Sequence, residues 1–172
     1  MIGQRPESGL LPGKEKLAMI VGVISDTHGL LRPEAVDALR GSEHIIHAGD
    51  IGAPEIIGEM KKIAPVTAIR GNVDVQTWAR EFPETEVVEL AGKIFYVIHD
   101  VKALDLNPKA AGFDAVISGH SHKPGQEIRN GVLYLNPGSA GPRRFNLPIS
   151  VAKLNINESG LRAEIVVLSV SR

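Results

Sequence analysis

Residues 19–28 read MIVGVISDTH: a short apolar run, rich in valine and isoleucine, that leads straight into Asp26-Thr27-His28. A run of this length and composition predicts a buried strand over 19–24. The same order recurs downstream. HIIH at 44–47 leads to Ala48-Gly49-Asp50, VTAI at 66–69 to Arg70-Gly71-Asn72, IFYVI at 94–98 to His99, and AVIS at 115–118 to Gly119-His120-Ser121-His122. Five predicted strands therefore end in seven ligand-type side chains. In open α/β folds ligands bind at the carboxyl edge of a largely parallel sheet. Strands lying side by side would gather these residues in one crevice.

The segments between them fit that frame. Residues 33–40 (PEAVDALR) and 54–64 (PEIIGEMKKIA) each place proline at a first helical position, and Gly41 is a helix stop. Residues 86–90 and 93–98 flank Ala91-Gly92 as a tight hairpin. A short helix is expected around 104–111, then strands at 126–129, 132–135, 149–156 and 161–168. The expected fold is α/β, a two-sheet β-sandwich flanked by helices. Residues 1–17 (MIGQRPESGLLPGKEKL) lack periodicity and read as a flexible tail, with 18–172 as a single domain.

Composition removes several function classes. The chain has 172 residues, 19 Lys+Arg against 20 Asp+Glu, and a net charge of −1, so charge gives no case for a nucleic-acid or anionic-membrane partner. Cysteine is absent, which excludes disulfides, thiolate zinc sites, iron–sulfur clusters and cysteine nucleophiles. The longest apolar run, 17–24, is too short to span a bilayer, and no signal-peptide order precedes it. The expected compartment is the cytoplasm; a homo-oligomer is compatible with the sequence.

The ligand-type residues have a chemical reading. Asp26/His28 and His120/His122 are each two apart, and in extended backbone such pairs face one side. Gly49, Gly71 and Gly119 each precede a ligand and let backbone approach a bound group. Taken singly, the residues have ordinary explanations: Asp26 as a helix cap, Asn72 as a turn residue, His99 as a partly buried histidine. All five elements in order after strands are hard to explain that way. Imidazole nitrogens with carboxylate and amide oxygens suit manganese, iron, zinc, cobalt or nickel better than calcium or magnesium. Seven ligands exceed the needs of one four-coordinate ion. Two ions sharing a carboxylate match the clamp used for in-line phosphoryl displacement.

The series Asp26-Thr27-His28, Gly49-Asp50, Gly71-Asn72, His99 and Gly119-His120-Ser121-His122 resembles the signature of the calcineurin-like metallophosphoesterase superfamily. The short chain and Asn136-Pro137-Gly138-Ser139 resemble its small YfcE-like phosphodiesterase branch. The resemblance implies that Asp26, His28 and His122 hold one divalent transition-metal ion and Asn72, His99 and His120 a second, with Asp50 bridging. Manganese is the favoured metal, with iron, zinc, cobalt and nickel as alternatives. A metal-bound hydroxide would attack a small-molecule phosphoester.

Two departures bear on chemistry. Many members carry histidine after Gly-Asn to protonate the leaving oxygen, and continue the His99 position as His-Gly-His; here stand Val73 and His99-Asp100-Val101. Asp74 and Asp100 are the nearby candidates for a substitute acid. His47 is read either as an orienting residue behind the ligands or as a satisfied strand-end histidine. Arg143, of the pair Arg143-Arg144, and Ser139 are candidate phosphate contacts, against the plainer readings of a solvated charge pair and a turn cap. The expected function is a dinuclear metal-dependent phosphodiesterase. The alternatives are a phosphomonoesterase or nucleotide phosphatase, and a weakly active protein-interaction scaffold of the same fold.

Overall fold

β1 (Met19–Ile24) forms as expected and is the central strand of a five-stranded sheet. The computed structural model describes residues 18–171, so the tail expected at 1–17 lies outside the described residues. β1 pairs in parallel with β2 (His44–His47), and β2 in parallel with β3 (Val66–Ala68). On its other side lies the antiparallel pair β9 (Ser150–Asn157) and β10 (Gly160–Val167).

A second five-stranded sheet begins with the hairpin β4 (Thr85–Leu90) and β5 (Lys93–Ile98). Its turn residues Ala91 and Gly92 both have positive φ, 48° and 75°, the backbone that tight two-residue hairpins require. β5 runs parallel to β6 (Ala115–Ile117), and β6 parallel to β8 (Val132–Asn136). The antiparallel β7 (Gly125–Arg129) closes the far edge. Each sheet thus contains three adjacent parallel strands, at one side of the first sheet and in the middle of the second. The parallel strands that carry the ligands are split between two sheets rather than set side by side in one, and the crevice is the carboxyl-end seam where the sheets meet.

Strand alternation builds the sandwich. Val21, Val23, Ile46, Phe95, Val97, Ile117, Leu133, Leu135 and Leu154 form the inter-sheet core. Residues of the opposite parity, Ile24 and Ile45, meet Leu39 of α1 (Pro33–Leu39) and Ile56, Ile57 and Met60 of α2 (Pro54–Lys61). Burying each such side chain is worth roughly 1.5–3 kcal/mol. Helix α2 stops three residues short of the expected 64. Pro65 follows Ala64, and the residue before proline is driven out of helical backbone.

The outer face of the second sheet carries Tyr96, Val116, Val132 and Tyr134, covered by Val101 and Leu104. The helix expected at 104–111 does not form. Pro108 disfavours helical backbone at Asn107, and Gly112 (φ 81°) ends a short turn in which Ala111 N–H donates to Asn107 O. A 3₁₀ turn (Thr77–Glu81) that the sequence did not suggest precedes β4.

Candidate metal centre

The seam is stitched by backbone before any side chain reaches it. Asp26 N–H donates to Gly49 O and His28 N–H to Asp50 O, joining the ends of β1 and β2. Gly119 N–H donates to His99 O, joining β5 to β6. Ala140 N–H donates to Ser25 O, tying the segment after β8 to β1 in the other sheet.

Five of the seven ligand-type residues hold left-handed backbone: Asp26 (φ 54°), His28 (45°), Asp50 (55°), His120 (67°) and His122 (60°). Aspartate and histidine tolerate this region better than most side chains, yet such backbone costs of order 1–3 kcal/mol per residue. The expectation of extended pairs is therefore corrected. Asp26 and His28 do converge, with Asp26 Oδ1 3.8 Å from His28 Nε2, but the strand twists left-handed at each to bring them there. His120 and His122 diverge: His122 Nε2 reaches Asp26 Oδ1 at 3.2 Å, whereas His120 Nδ1 meets Asn72 Oδ1 at 3.1 Å.

The donors form two overlapping groups, Asp26–His28–His122 and Asp26–Asp50–His99. Asp50 Oδ2 lies 3.2 Å from His99 Nε2 and 3.7 Å from His28 Nε2, so one carboxylate oxygen faces histidines of both groups. His28 and His122 stand 3.3 Å apart, Nε2 to Nε2. Asn72 and His120 sit beside the second group, the His120 ring edge-on to that of His99 at 5.2 Å.

The surroundings aim these atoms inward. Asp26 Oδ2 accepts from Ser25 Oγ at 2.6 Å and from His120 N–H at 3.1 Å, leaving Oδ1 buried without a hydrogen bond and facing the histidine nitrogens. His99 Nδ1 lies 2.7 Å from Ala48 O; a carbonyl accepts only, so the proton sits on Nδ1 and Nε2 offers its lone pair. That Nε2 is also buried without a hydrogen-bond partner. Buried polar atoms seldom go unpaired. Unspent carboxylate and imidazole atoms facing one point fit a divalent cation.

Two glycines are required by close approach. A Cβ on Gly71 would collide with Asp50 Oδ1 and its backbone N, and one on Gly119 with Ser25 Oγ and Asp26 Oδ2.

Electrostatics follow from this packing. Burial lowers the His28 pKa against the pull of Asp50 and Asp26, with His122 and Arg144 adding to the lowering. Burial alone would raise the Asp50 carboxyl, but His99, Val73 N–H and His28 outweigh it and lower it. Burial likewise opposes charge on His99, yet the Asp50 carboxylate and Ala48 carbonyl outweigh it and raise its pKa.

Residues behind the ligands complete the site. His47 is fully buried: Gly49 N–H donates to its Nδ1, so its Nε2–H donates to Thr27 Oγ1, which donates to Ile51 O. Burial drives its pKa to about 4. His47 thus braces the loops on which Asp26, His28 and Asp50 stand without touching those side chains. Asn136 donates from Nδ2 to Gly119 O and Ser121 Oγ, a clamp on the histidine loop. Neither Ser25 nor Asn136 had a role legible in the sequence, because each acts through a neighbour fixed only by the fold.

Three of the four remaining candidates sit differently from expectation. Asp74 is buried and accepts from the N–H groups of Ile51, Gly52 and Gly71, so it fixes two ligand loops instead of facing a leaving group. Ser139 is buried and donates to Asp26 O, which removes it as a phosphate contact. Arg143 donates to Leu147 O beside a cavity with Arg32 and Phe145, and it is Arg144 whose charge reaches His28. Asp100 stays at the site, its Oδ2 3.7 Å from His120 Nε2.

Residues 19–159 match the calcineurin-like phosphoesterase superfamily domain, and the chain belongs to that superfamily. Among its relatives is a probable metallophosphoesterase of Methanothermobacter thermautotrophicus, 38% identical over 160 residues, covering 86% of this chain and 92% of the relative. A solved structure described as a novel archaeal phosphodiesterase is 25% identical with a TM-score of 0.71, covering 86% of this chain and all of that one. The fold is also that of Yfce, a phosphoesterase from E. coli, at 21% identity and a TM-score of 0.62, over 88% of this chain and all of that one. Among the described residues no helix is long and apolar enough to cross a membrane.

Proposed function

We propose that this protein is a dinuclear metal-dependent phosphodiesterase, with residues 18–172 acting as one metallophosphoesterase domain. What carries the reading is that Asp26 Oδ1 and His99 Nε2, both buried and without hydrogen-bond partners, lie in two donor groups that share Asp26. Asp26, His28 and His122 would hold one ion and Asn72, His99 and His120 the other, with Asp50 shared between them. Manganese is the first choice of metal, with iron, zinc, cobalt and nickel accepted by the same donors. Bound ions supply a water of lowered pKa and neutralise charge on the phosphoryl group.

The chain's own groups do the rest. Ser25 and the His120 N–H hold the Asp26 carboxylate in place, and Ala48 O fixes the His99 tautomer. Arg144 brings a positive charge to the His28 side, suited to a phosphate oxygen. Val73 has no proton to give to a leaving oxygen. Asp100, whose other oxygen accepts from Lys102 N–H, is the carboxyl beside His120. Substrates whose leaving group departs as a stable anion should therefore react best.

The test pairs elemental analysis with turnover of bis(p-nitrophenyl) phosphate and p-nitrophenyl phosphate, with added Mn²⁺ and after chelation. Near two ions per chain and a metal-dependent preference for the diester are expected. Metal-independent rates or a strong monoester preference would overturn the reading, the latter in favour of a phosphomonoesterase.

A further inference from the structure

Next to the metal centre, on the outer face of the second sheet, lies a pocket of about 410 Å³. Its position follows from strand parity. Ala115, Ile117, Leu133 and Leu135 point into the sandwich, so Ser118, Tyr134 and Asn136 point out and form the floor. Val101, Lys123 and the start of β7 complete the lining. The pocket begins where the ligands end. Ser121, between His120 and His122, lines it, and Val101 follows Asp100, whose carboxylate faces His120. His120 has 44% of its side chain exposed, against 7–14% for His28, His99 and His122. His120 is thus the most exposed of these four histidines, and it is the chain neighbour of the pocket-lining Ser121.

The lining selects a kind of occupant. Ser118 and Ser121 offer hydroxyls and Gln126 an amide oxygen beside apolar Val101 and Pro124, whereas the Gln126 amide nitrogen is engaged by Ala163 O and that of Asn136 by Gly119 O and Ser121 Oγ. Arg129 is committed, paired with Glu127 and lying 4.5 Å from the Tyr134 ring centroid. Lys123 makes no ion pair among the described residues, so its charge is available. The volume lies within the roughly 300–1,000 Å³ usual for organic ligands.

The geometry points to this pocket as the seat of the ester arm that stays on phosphorus: a nucleoside-sized, hydroxyl-bearing arm carrying a second phosphate, which Lys123 meets. The inference rests on the phosphodiesterase reading. It assigns substrate choice to β7, β8 and the histidine loop, none of whose pocket-lining residues is among the proposed ligands.

Three diesters with the same p-nitrophenolate leaving group test it in metal-loaded protein: methyl p-nitrophenyl phosphate, and thymidine 5′-(p-nitrophenyl phosphate) with and without a 3′-phosphate. In wild type, kcat/KM should rise about tenfold from methyl to nucleoside ester and about tenfold again with the 3′-phosphate, the size of one hydrogen bond to a charged group. Lys123→Glu should abolish the second step. Gly125→Trp should abolish both: a Cβ at Gly125 meets nothing within 4 Å, and its cross-strand partner Asn136 fixes its direction into the pocket. Equal kcat/KM for the three esters in wild type, or ratios untouched by both variants, would overturn the inference. Should even the methyl ester resist hydrolysis, the phosphodiesterase reading itself fails. Calorimetric binding of thymidine 3′,5′-bisphosphate then decides the pocket alone: binding that Lys123→Glu weakens supports it, and no binding to wild type overturns it.

Discussion

Val73 donates its backbone N–H to Asp50 Oδ1 at 3.1 Å while its side chain remains 39% exposed. The backbone of this residue orients the central carboxylate, whatever side chain it carries. Position 73 therefore accepts substitution without disturbing that bond.

Val73→His should raise turnover of diesters with poor, alkyl-type leaving groups relative to aryl esters. General acid catalysis is worth about 10²–10⁴-fold where it is missing. Nearby cations disfavour the protonated ring, so the gain should grow toward acidic pH. The alkyl-to-aryl ratio of kcat/KM across pH, in protein of verified metal content, measures it. An unchanged ratio at every pH would mean that some other group, Asp100 first, already supplies the proton.

Asp50→Ala should lose bound metal and at least about 100-fold of metal-dependent turnover, since loss of an outer partner alone can cost 10–100-fold. Elemental analysis of wild type and variant loaded in parallel is decisive. Full metal content in Asp50→Ala would remove the shared-ligand assignment.

Ser25→Ala frees Asp26 Oδ2 from its 2.6 Å hydroxyl partner. Metal affinity should fall about 10–100-fold with folding retained. Competition against a chromogenic chelator reads the affinity, and circular dichroism the fold. Wild-type affinity would show that the Gly119–His120 backbone suffices to hold Asp26.

His47 makes the metal-free protein acid-sensitive over a defined window. Its pKa is about 4 in the folded chain against a usual 6.5. Above 6.5 it is neutral both folded and unfolded and costs nothing. As pH falls from 6.5 toward 4, the unfolded chain takes up a proton that the folded chain refuses, and about 3 kcal/mol of stability is lost. Urea denaturation of wild type and His47→Gln, in chelator, should show the wild-type advantage shrinking between pH 7.5 and 4.5. An advantage that is constant with pH would exclude this role.

Arg144→Ala should lower kcat/KM for diesters about tenfold, chiefly through KM, while Arg143→Ala stays near wild type. The contrast follows from the charge that His28 feels and from the Arg143 bond to Leu147 O. Equal losses in both variants would return the pair to ordinary loop charges.

The ligand-bearing strands were legible because each is a short apolar run bounded by Gly, Pro or polar residues, and β1, β2 and β5 begin and end where expected. The seven donors were legible from their order after those strands. The division of the strands into two sheets was not, since a run such as AVIS reads the same in either. Nor were the left-handed residues: Asp26 and His28 resemble any strand-end pair until Gly49 O and Asp50 O claim their N–H groups. The false helix at 104–111 had suitable composition but a proline inside it. Arg143 and Arg144 are chemically identical, so only the path of the loop separates them.

The seam placement has a mechanical consequence. Asp26, His28, Asp50 and Asn72 follow strands of one sheet, whereas His99, His120 and His122 follow strands of the other. A cation held by both sets would act as a rivet through the two leaves: sliding of leaf on leaf would strain it, and its loss would loosen them. Ion occupancy and rigidity of the sandwich would then be linked and reciprocal: whatever clamps the leaves together would tighten the hold on metal, and whatever wedges them apart would release it.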